Sequence, residues 1–320
     1  MSAQMITSTD KATLKAIQPK RTWQKMKEYR FIYLLLILPV ANILVFKYYP
    51  LLAQFLLSFK KYTIKGGLWN SKWVGFANYE KLFRTNEFGK LIGNTLRIST
   101  LQVVVGFVPP VILAIMLFDM SSDRMRKVSQ SILYIPHFFS WVVVYNLVGV
   151  IFANTGYINF IREALGLKTV SYLMDVNCFL PILIGSSLWK NLGWGTILYL
   201  AALTSIDTEL FEVAKIDGAG PLQRIWYITL PGIIPVMVFT LTMSLGRLFS
   251  AANTEQILLF YGPANYAVSD VIGTWVYRQG LGKLEYSLGA AVEMFQSVIG
   301  LFLVLICNKT ANKVAHVGIW

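Results

Sequence analysis

Six long apolar runs constrain this chain more than any other feature. They lie at Phe31–Tyr49, Asn94–Phe118, Ser131–Phe152, Phe179–Leu203, Pro231–Ala252 and Ser287–Ile306. About 20 mostly apolar residues in a helix cross the roughly 30 Å hydrocarbon core of a bilayer. In lipid every backbone polar group must be satisfied internally, so such runs predict helices. The expected fold class is therefore an all-α membrane protein with six transmembrane helices. Composition agrees, because only 14% of the 320 residues are charged, against about a quarter in soluble domains. Pro109, Pro110, Pro136 and Pro181 fall inside expected spans, where neighbouring helices and water can satisfy the freed carbonyls.

The formal net charge is +13, but the cations are grouped. Lys11, Lys15, Lys20, Arg21, Lys25, Lys27 and Arg30 precede the first run, the pattern of a cytoplasmic N-terminus held by anionic headgroups. No nucleic-acid motif accompanies them, so a nucleic-acid partner is not expected. The first run lacks a small-residue cleavage site and reads as a retained span rather than a signal peptide. With six spans the C-terminus also falls inside. The division expected is a basic cytoplasmic segment at 1–30, a six-span membrane domain at 31–306 and a cytoplasmic tail at 307–320. Charge totals support this orientation only weakly, since the loop Lys47–Gly93, expected outside, alone carries eight Lys and Arg. Cys178 and Cys307 match no metal or redox spacing.

The connection Thr204–Leu230 is unusual for an inside loop. Its acids Asp207, Glu209, Glu212 and Asp217 outnumber Lys215 and Arg224, against the positive-inside bias. Asp207 suits the N-cap of a short helix ending near Asp217. Gly218 suits the left-handed position after it, and Gly220-Pro221 suits the cap and first residue of a second short helix. From physics alone this is either a docking element or an ordinary interfacial connector.

Here the sequence resembles the permeases of binding-protein-dependent ABC importers. Their signature is Glu-Ala-Ala, three residues, Gly, nine residues, then Ile-x-Leu-Pro. This chain has Glu212-Val213-Ala214, Gly218, Ile228, Leu230 and Pro231 at the same spacings; Val213 replaces the usual Ala. Trp73–Tyr79 with Leu82-Phe83, Gly193-Trp194, Tyr199–Leu203, Ile206-Asp207, Tyr277-Arg278 and Phe295–Ser297 resemble the sugar-permease branch that handles oligosaccharides and polysaccharide fragments. The resemblance implies a type I ABC importer permease fold in a bacterial cytoplasmic (inner) membrane, with a cytoplasmic coupling helix between spans four and five. It implies a second homologous permease, two ABC ATPase subunits, an extracellular solute-binding protein and an oligosaccharide as partners. Glu212, Val213, Ala214, Asp217, Gly218, Ile228, Leu230 and Pro231 would carry ATPase coupling. No phosphate-binding Gly-x-x-x-x-Gly-Lys-Ser/Thr loop is present. ATP and Mg are thus expected on the partner ATPase, with no cofactor, metal or catalytic residue on this chain.

Ionisable groups inside spans are functional candidates. Lys190 lies midway along the fourth run. Arg247 and Glu293 lie roughly 8–9 Å from the outer ends of the fifth and sixth by helical rise, as an interhelical ion pair or as cavity lining. Thr240, Ser244, Arg247, Ser250 and Thr254 would form one stripe, Ser186, Lys190 and Trp194 another, and His137, Trp141 and Tyr145 a third. Aromatic platforms and hydroxyls suit a sugar path, and Lys190 with Arg247 would suit an acidic, uronate-containing sugar. The membrane lipid itself packs the remaining faces. An ion-coupled secondary sugar transporter is the alternative, but no convincing internal repeat is visible. A membrane-embedded enzyme lacks any paired carboxylates or metal cluster, and neither alternative accounts for the Glu212–Pro231 signature.

Overall fold

The computed structural model describes residue 27, residues 29–249 and residues 254–315. It divides into two compact units, one up to Leu56 and one from Leu57 onward. In the first unit, α1 (Arg30–Ile43) passes through a π-helical turn at Leu44–Tyr48 into α2 (Tyr49–Ser58). The turn has a local cause. Pro50 lacks an N–H and its ring clashes with the carbonyl four residues earlier, at Phe46; a widened turn relieves that clash. The side chains of α1 are exposed, Leu38 at 78%. The helix continues nine residues beyond the expected end at Tyr49, which shortens the loop expected at Lys47–Gly93.

From Leu57 the chain builds a small cap and then a helical bundle. β1 (Lys60–Lys61) pairs antiparallel with β2 (Lys72–Trp73) around α3 (Gly67–Asn70), and α4 (Ala77–Phe83) follows. Phe59 stacks on Trp73 at 5.6 Å and meets Phe76 edge-on at 5.3 Å. Asn78 Nδ2 donates to the Ser58 and Lys60 carbonyls. The bundle comprises α5 (Phe88–Phe118), α6 (Asp123–Tyr134), α7 (Trp141–Phe152), α8 (Tyr157–Ala164), α9 (Val176–Thr204), α10 (Thr208–Ile216), α11 (Pro221–Arg224) and α12 (Leu230–Gly246). It continues with α13 (Thr254–Phe260), α14 (Tyr266–Ser269), α15 (Ile272–Val276) and α16 (Tyr286–Ala315).

Small residues let these helices approach closely, as they do in membranes generally. A Cβ at Gly193 of α9 would lie 2.1 Å from the Leu133 carbonyl oxygen of α6, and one at Gly300 of α16 would lie 2.4 Å from that of Gly246. Ile98, Val144, Leu183 and Ile257 centre one apolar cluster, joining α5, α7, α9 and α13. Ala114, Leu203 and Ile233 centre a second, joining α5, α9 and α12.

Among the described residues, five helical stretches are long and apolar enough to cross a membrane: Arg30–Ser58, Phe88–Phe118, Trp141–Ala164, Pro221–Gly246 and Tyr286–Lys313. The expected fourth span forms a 29-residue helix, α9. Its length of about 44 Å suffices to cross, but Ser186, Ser187, Lys190 and Asn191 make it more polar than the others.

The third, fifth and sixth expected spans are redrawn as well. The third is not one helix over Ser131–Phe152: α6 ends at Tyr134, a 3-10 turn holds Ile135–Phe138, and Phe139 is extended. Pro136 removes a donor there, and Ser140 restarts the helix by accepting a hydrogen bond from Val143 N. The fifth starts earlier than expected. α11 is not a separate helix but runs through a π turn at Ile225–Thr229 into α12. Pro231 stands two residues past that turn, as Pro50 does past the first, so one cause explains both. α12 stops at Gly246, short of the expected Ala252, and residues 250–253 lie outside the described chain. The sixth runs from Tyr286 to Ala315, beyond Ile306.

Candidate coupling loop and polar interior

The loop after α9 forms by local chemistry. Asp207 accepts from Glu209 N at 2.9 Å and starts α10. At the other end Gly218 adopts φ +78°. Its N–H donates to the Lys215 carbonyl at 3.1 Å, and Ala219 N to that of Ala214 at 2.8 Å. That pair of bonds is a Schellman ending, which favours glycine. Gln223 Oε1 then accepts from Gly220 N at 2.7 Å, placing Pro221 first in α11.

One side of α10 holds the bundle and the other faces away. Phe211 packs on Phe118 of α5 at 5.9 Å. Ile206 fills the notch left by Gly232, where a Cβ would lie 2.5 Å from its Cδ1. Outward, Leu210, Val213 and Ile216 are 53, 56 and 85% exposed, and Leu222, Trp226 and Tyr227 continue the apolar surface. Glu212, Asp217 and Gly218 are exposed beside them, Ala214 is half-buried, Ile228 and Leu230 are partly buried, and Pro231 is exposed. The signature residues thus fall on one helix–turn–helix, with acids and apolar side chains presented together.

The interior is organised by Lys190. It is 7% exposed, and its ammonium donates to the carbonyls of His137 and Phe139. It also lies 5.5 Å from the Trp141 ring centroid. Those carbonyls belong to the break between α6 and α7, so Lys190 supplies donors that a continuous helix would have supplied itself. His137 is held flat on Trp194, with ring centroids 4.3 Å apart and 4° between planes, and its Nδ1 is 3.2 Å from Asn191 Oδ1. Trp194 with Gln102, Ser187 and Asn191 lines a cavity of about 210 Å³ between α5 and α9. Gln256 of α13 is fully buried; its Nε2 donates to the Leu183 carbonyl and Ser186 Oγ, and its Oε1 accepts from Gln102.

Two expected stripes are broken. His137 lies in the 3-10 turn, so it shares no helix with Trp141 and Tyr145. Trp141 is buried in the core and Tyr145 meets Phe260 edge-on at 5.0 Å. On α12, Thr240 bonds Tyr199 at 2.8 Å and Ser244 bonds the Thr240 carbonyl. Arg247 is the C-cap of that helix, Thr254 starts α13, and Ser250 lies outside the described residues. Arg247 therefore ends a helix instead of sitting inside it. Glu293 is exposed on α16.

Sequence reading gave no role to three polar groups. Arg97, exposed in the first third of α5, lines a pocket of about 310 Å³ with Asn177 and Pro181; its charge within an expected span was the available signal. Gln256 gave no such signal. Arg278 is bonded through both guanidinium nitrogens to Asp270, at 2.7 and 2.6 Å, and lies over Tyr261 and Tyr266. The Asp270 hydrogen bonds, ahead of any other cause, hold its pKa above the usual arginine range.

The family model for the binding-protein-dependent transport system inner membrane component matches residues 98–312. The chain is a member of that family. The permease is 37% identical to protein LplB of Bacillus subtilis (strain 168) over 296 residues, 92% of each chain. It is 33% identical to the polygalacturonan/rhamnogalacturonan transport system permease protein YteP of the same organism, over 98% of this chain and 97% of that one. A chain in the crystal structure of a bacterial alginate ABC transporter, in complex with an alginate pentasaccharide-bound periplasmic protein, aligns at TM-score 0.84. It shares 34% identity over 94% of the permease and all of its own length. Membership makes the permease an inner membrane transport component and argues against an ion-coupled secondary transporter.

Proposed function

We propose that this permease forms half of the translocation pathway of an ATP-driven importer of oligosaccharides, those bearing acidic sugars included. The observation that carries the substrate class is full-length similarity to YteP and to the alginate transporter chain, since polygalacturonan and alginate are both uronate polymers. A second, homologous permease completes the pathway, and an extracellular binding protein delivers the sugar. Two separate ABC ATPases hold ATP and Mg. The chain crosses six times, α9 included, with both termini cytoplasmic and the terminal segments flanking residues 31–306.

On this reading α10 is the coupling helix. Its exposed Val213 and Ile216 enter an apolar groove on the ATPase, and Glu212 and Asp217 meet basic residues at the rim. Ile228, Leu230 and Pro231 join the loop rigidly to α12, so closure of the ATPase pair tilts that helix and switches access. In the interior, Trp194 and the amides beside it suit sugar stacking and hydroxyl bonding. Arg97, Arg247, Ser244 and Glu293 line the route, while Trp141 and Tyr145 support its wall.

The test is uptake by cells carrying the complete importer, using labelled oligogalacturonate and a neutral oligosaccharide of equal length. Saturable, binding-protein-dependent entry of the acidic sugar is expected. Entry of the neutral one alone overturns the acidic assignment.

A further inference from the structure

Helix α8 wears its amphipathic faces inside out. Tyr157, Phe160 and Ile161, with the cap residue Leu165, recur along one helical stripe, and they are 66, 69, 56 and 70% exposed. On the opposite side Asn159 is turned inward, Arg162 is half-buried and Glu163 is exposed. Asn159 is 1% exposed; its Nδ2 donates to the carbonyls of Ala153 and Val170 at 3.1 and 2.8 Å, and its Oδ1 accepts from Val170 N at 2.9 Å. Arg162 Nε donates to the Lys168 carbonyl at 2.9 Å.

Both ends of the helix are fixed. A Cβ at Gly156 would lie 2.8 Å from the Ile151 carbonyl oxygen, so the turn entering α8 requires glycine. At the exit Gly166 has φ +72°, Gly166 N bonds the Glu163 carbonyl and Leu167 N that of Arg162, a second Schellman ending. The outward turn of the apolar stripe is therefore specified by hydrogen bonds on the opposite face and at both ends.

We infer that α8 is an interfacial helix lying in the headgroup–acyl boundary of the bilayer, with Tyr157, Phe160, Ile161 and Leu165 in lipid. Continuity with α7 selects lipid as the occupant. Val142, Val143, Val150 and Ile151 of α7, part of a stretch apolar enough to cross a membrane, are 42–53% exposed and form an apolar wall. A notch of about 410 Å³, lined by Val150, Gly156, Tyr157 and Phe160 among others, lies between the wall and the stripe, and it suits part of an acyl chain. Arg162 and Lys168 flank the helix on its polar side, where headgroup phosphates lie, and tyrosine is enriched at that depth. The inference uses the membrane identity of the chain and not its substrate, so a wrong sugar assignment leaves it intact.

The test uses the complete importer in phosphatidylethanolamine–phosphatidylglycerol vesicles, with a nitroxide at Phe160→Cys or Glu163→Cys in a Cys178→Ser, Cys307→Ser background. At 160 the label should collide with oxygen more than with a nickel chelate, and at 163 the ratio should invert. Chelate access at 160 would place the stripe in water, and shielding from both quenchers would place it under protein; either result overturns the inference. A second measurement keeps the native cysteines. Benzoylphenylalanine at 160, irradiated in the same vesicles, should give a lipid adduct by mass, whereas a cross-link to another subunit would contradict the assignment.

Discussion

A lysine ammonium enclosed in a membrane protein needs partners, and Lys190 finds them on backbone carbonyls. Removing its charge leaves the His137 and Phe139 carbonyls short of donors, at about 1–3 kcal/mol for each group left unsatisfied. Lys190→Met should therefore lower uptake of acidic and neutral oligosaccharides in parallel, measured as initial rates normalised to membrane-inserted protein. Loss confined to the acidic sugar would make Lys190 a direct substrate contact. Gly193→Ala should destabilise the assembly by about 1–3 kcal/mol through overpacking, read as a lower unfolding midpoint in detergent, because its methyl would collide with the Leu133 carbonyl. The charge of Lys190 was legible in the sequence, but its role was not. Its acceptors are main-chain atoms more than fifty positions away, and no side-chain pattern announces a carbonyl.

Elements whose signals are local were legible. Asp207, Gly218 and Gly220-Pro221 each act within a few residues of their own position, and α10 begins and ends where they direct. Breaks inside apolar segments were not. Pro136 could have been a tolerated membrane proline, and only with Ser140 four residues later does it mark a helix ending and restarting. Leu248 and Phe249 continue the apolar composition past Gly246, so hydropathy runs through the end of α12. The coupling proposal belongs to this scale. Glu212→Ala and Ile216→Asp should reduce co-purification of the ATPases while membrane insertion stays normal. Gly218→Pro should do so more severely, because proline cannot adopt the positive φ. Val213→Ala, which restores the family's usual residue, should leave association intact. Undiminished ATPase recovery with both Ile216→Asp and Gly218→Pro would remove α10 from the coupling role.

At the scale of the whole molecule, the membrane class and the family follow from the chain itself: from run length, from the Glu212–Pro231 spacing and from the match over residues 98–312. The number of crossings is less plain in composition, because α9 carries the polar groups that the interior uses. A helix that buries polar side chains is the one hydropathy underrates. The polar clusters converge on α9, where Lys190, Asn191 and Trp194 meet His137, and Ser186 meets Gln256, which Gln102 bonds in turn. The most direct test is sugar accumulation in vesicles holding this permease, its partner permease and the two ATPases, with binding protein outside and ATP inside. Accumulation should require ATP and binding protein, and should fall with Gly218→Pro. Accumulation by this chain alone, driven by an ion gradient without ATP, would contradict the account.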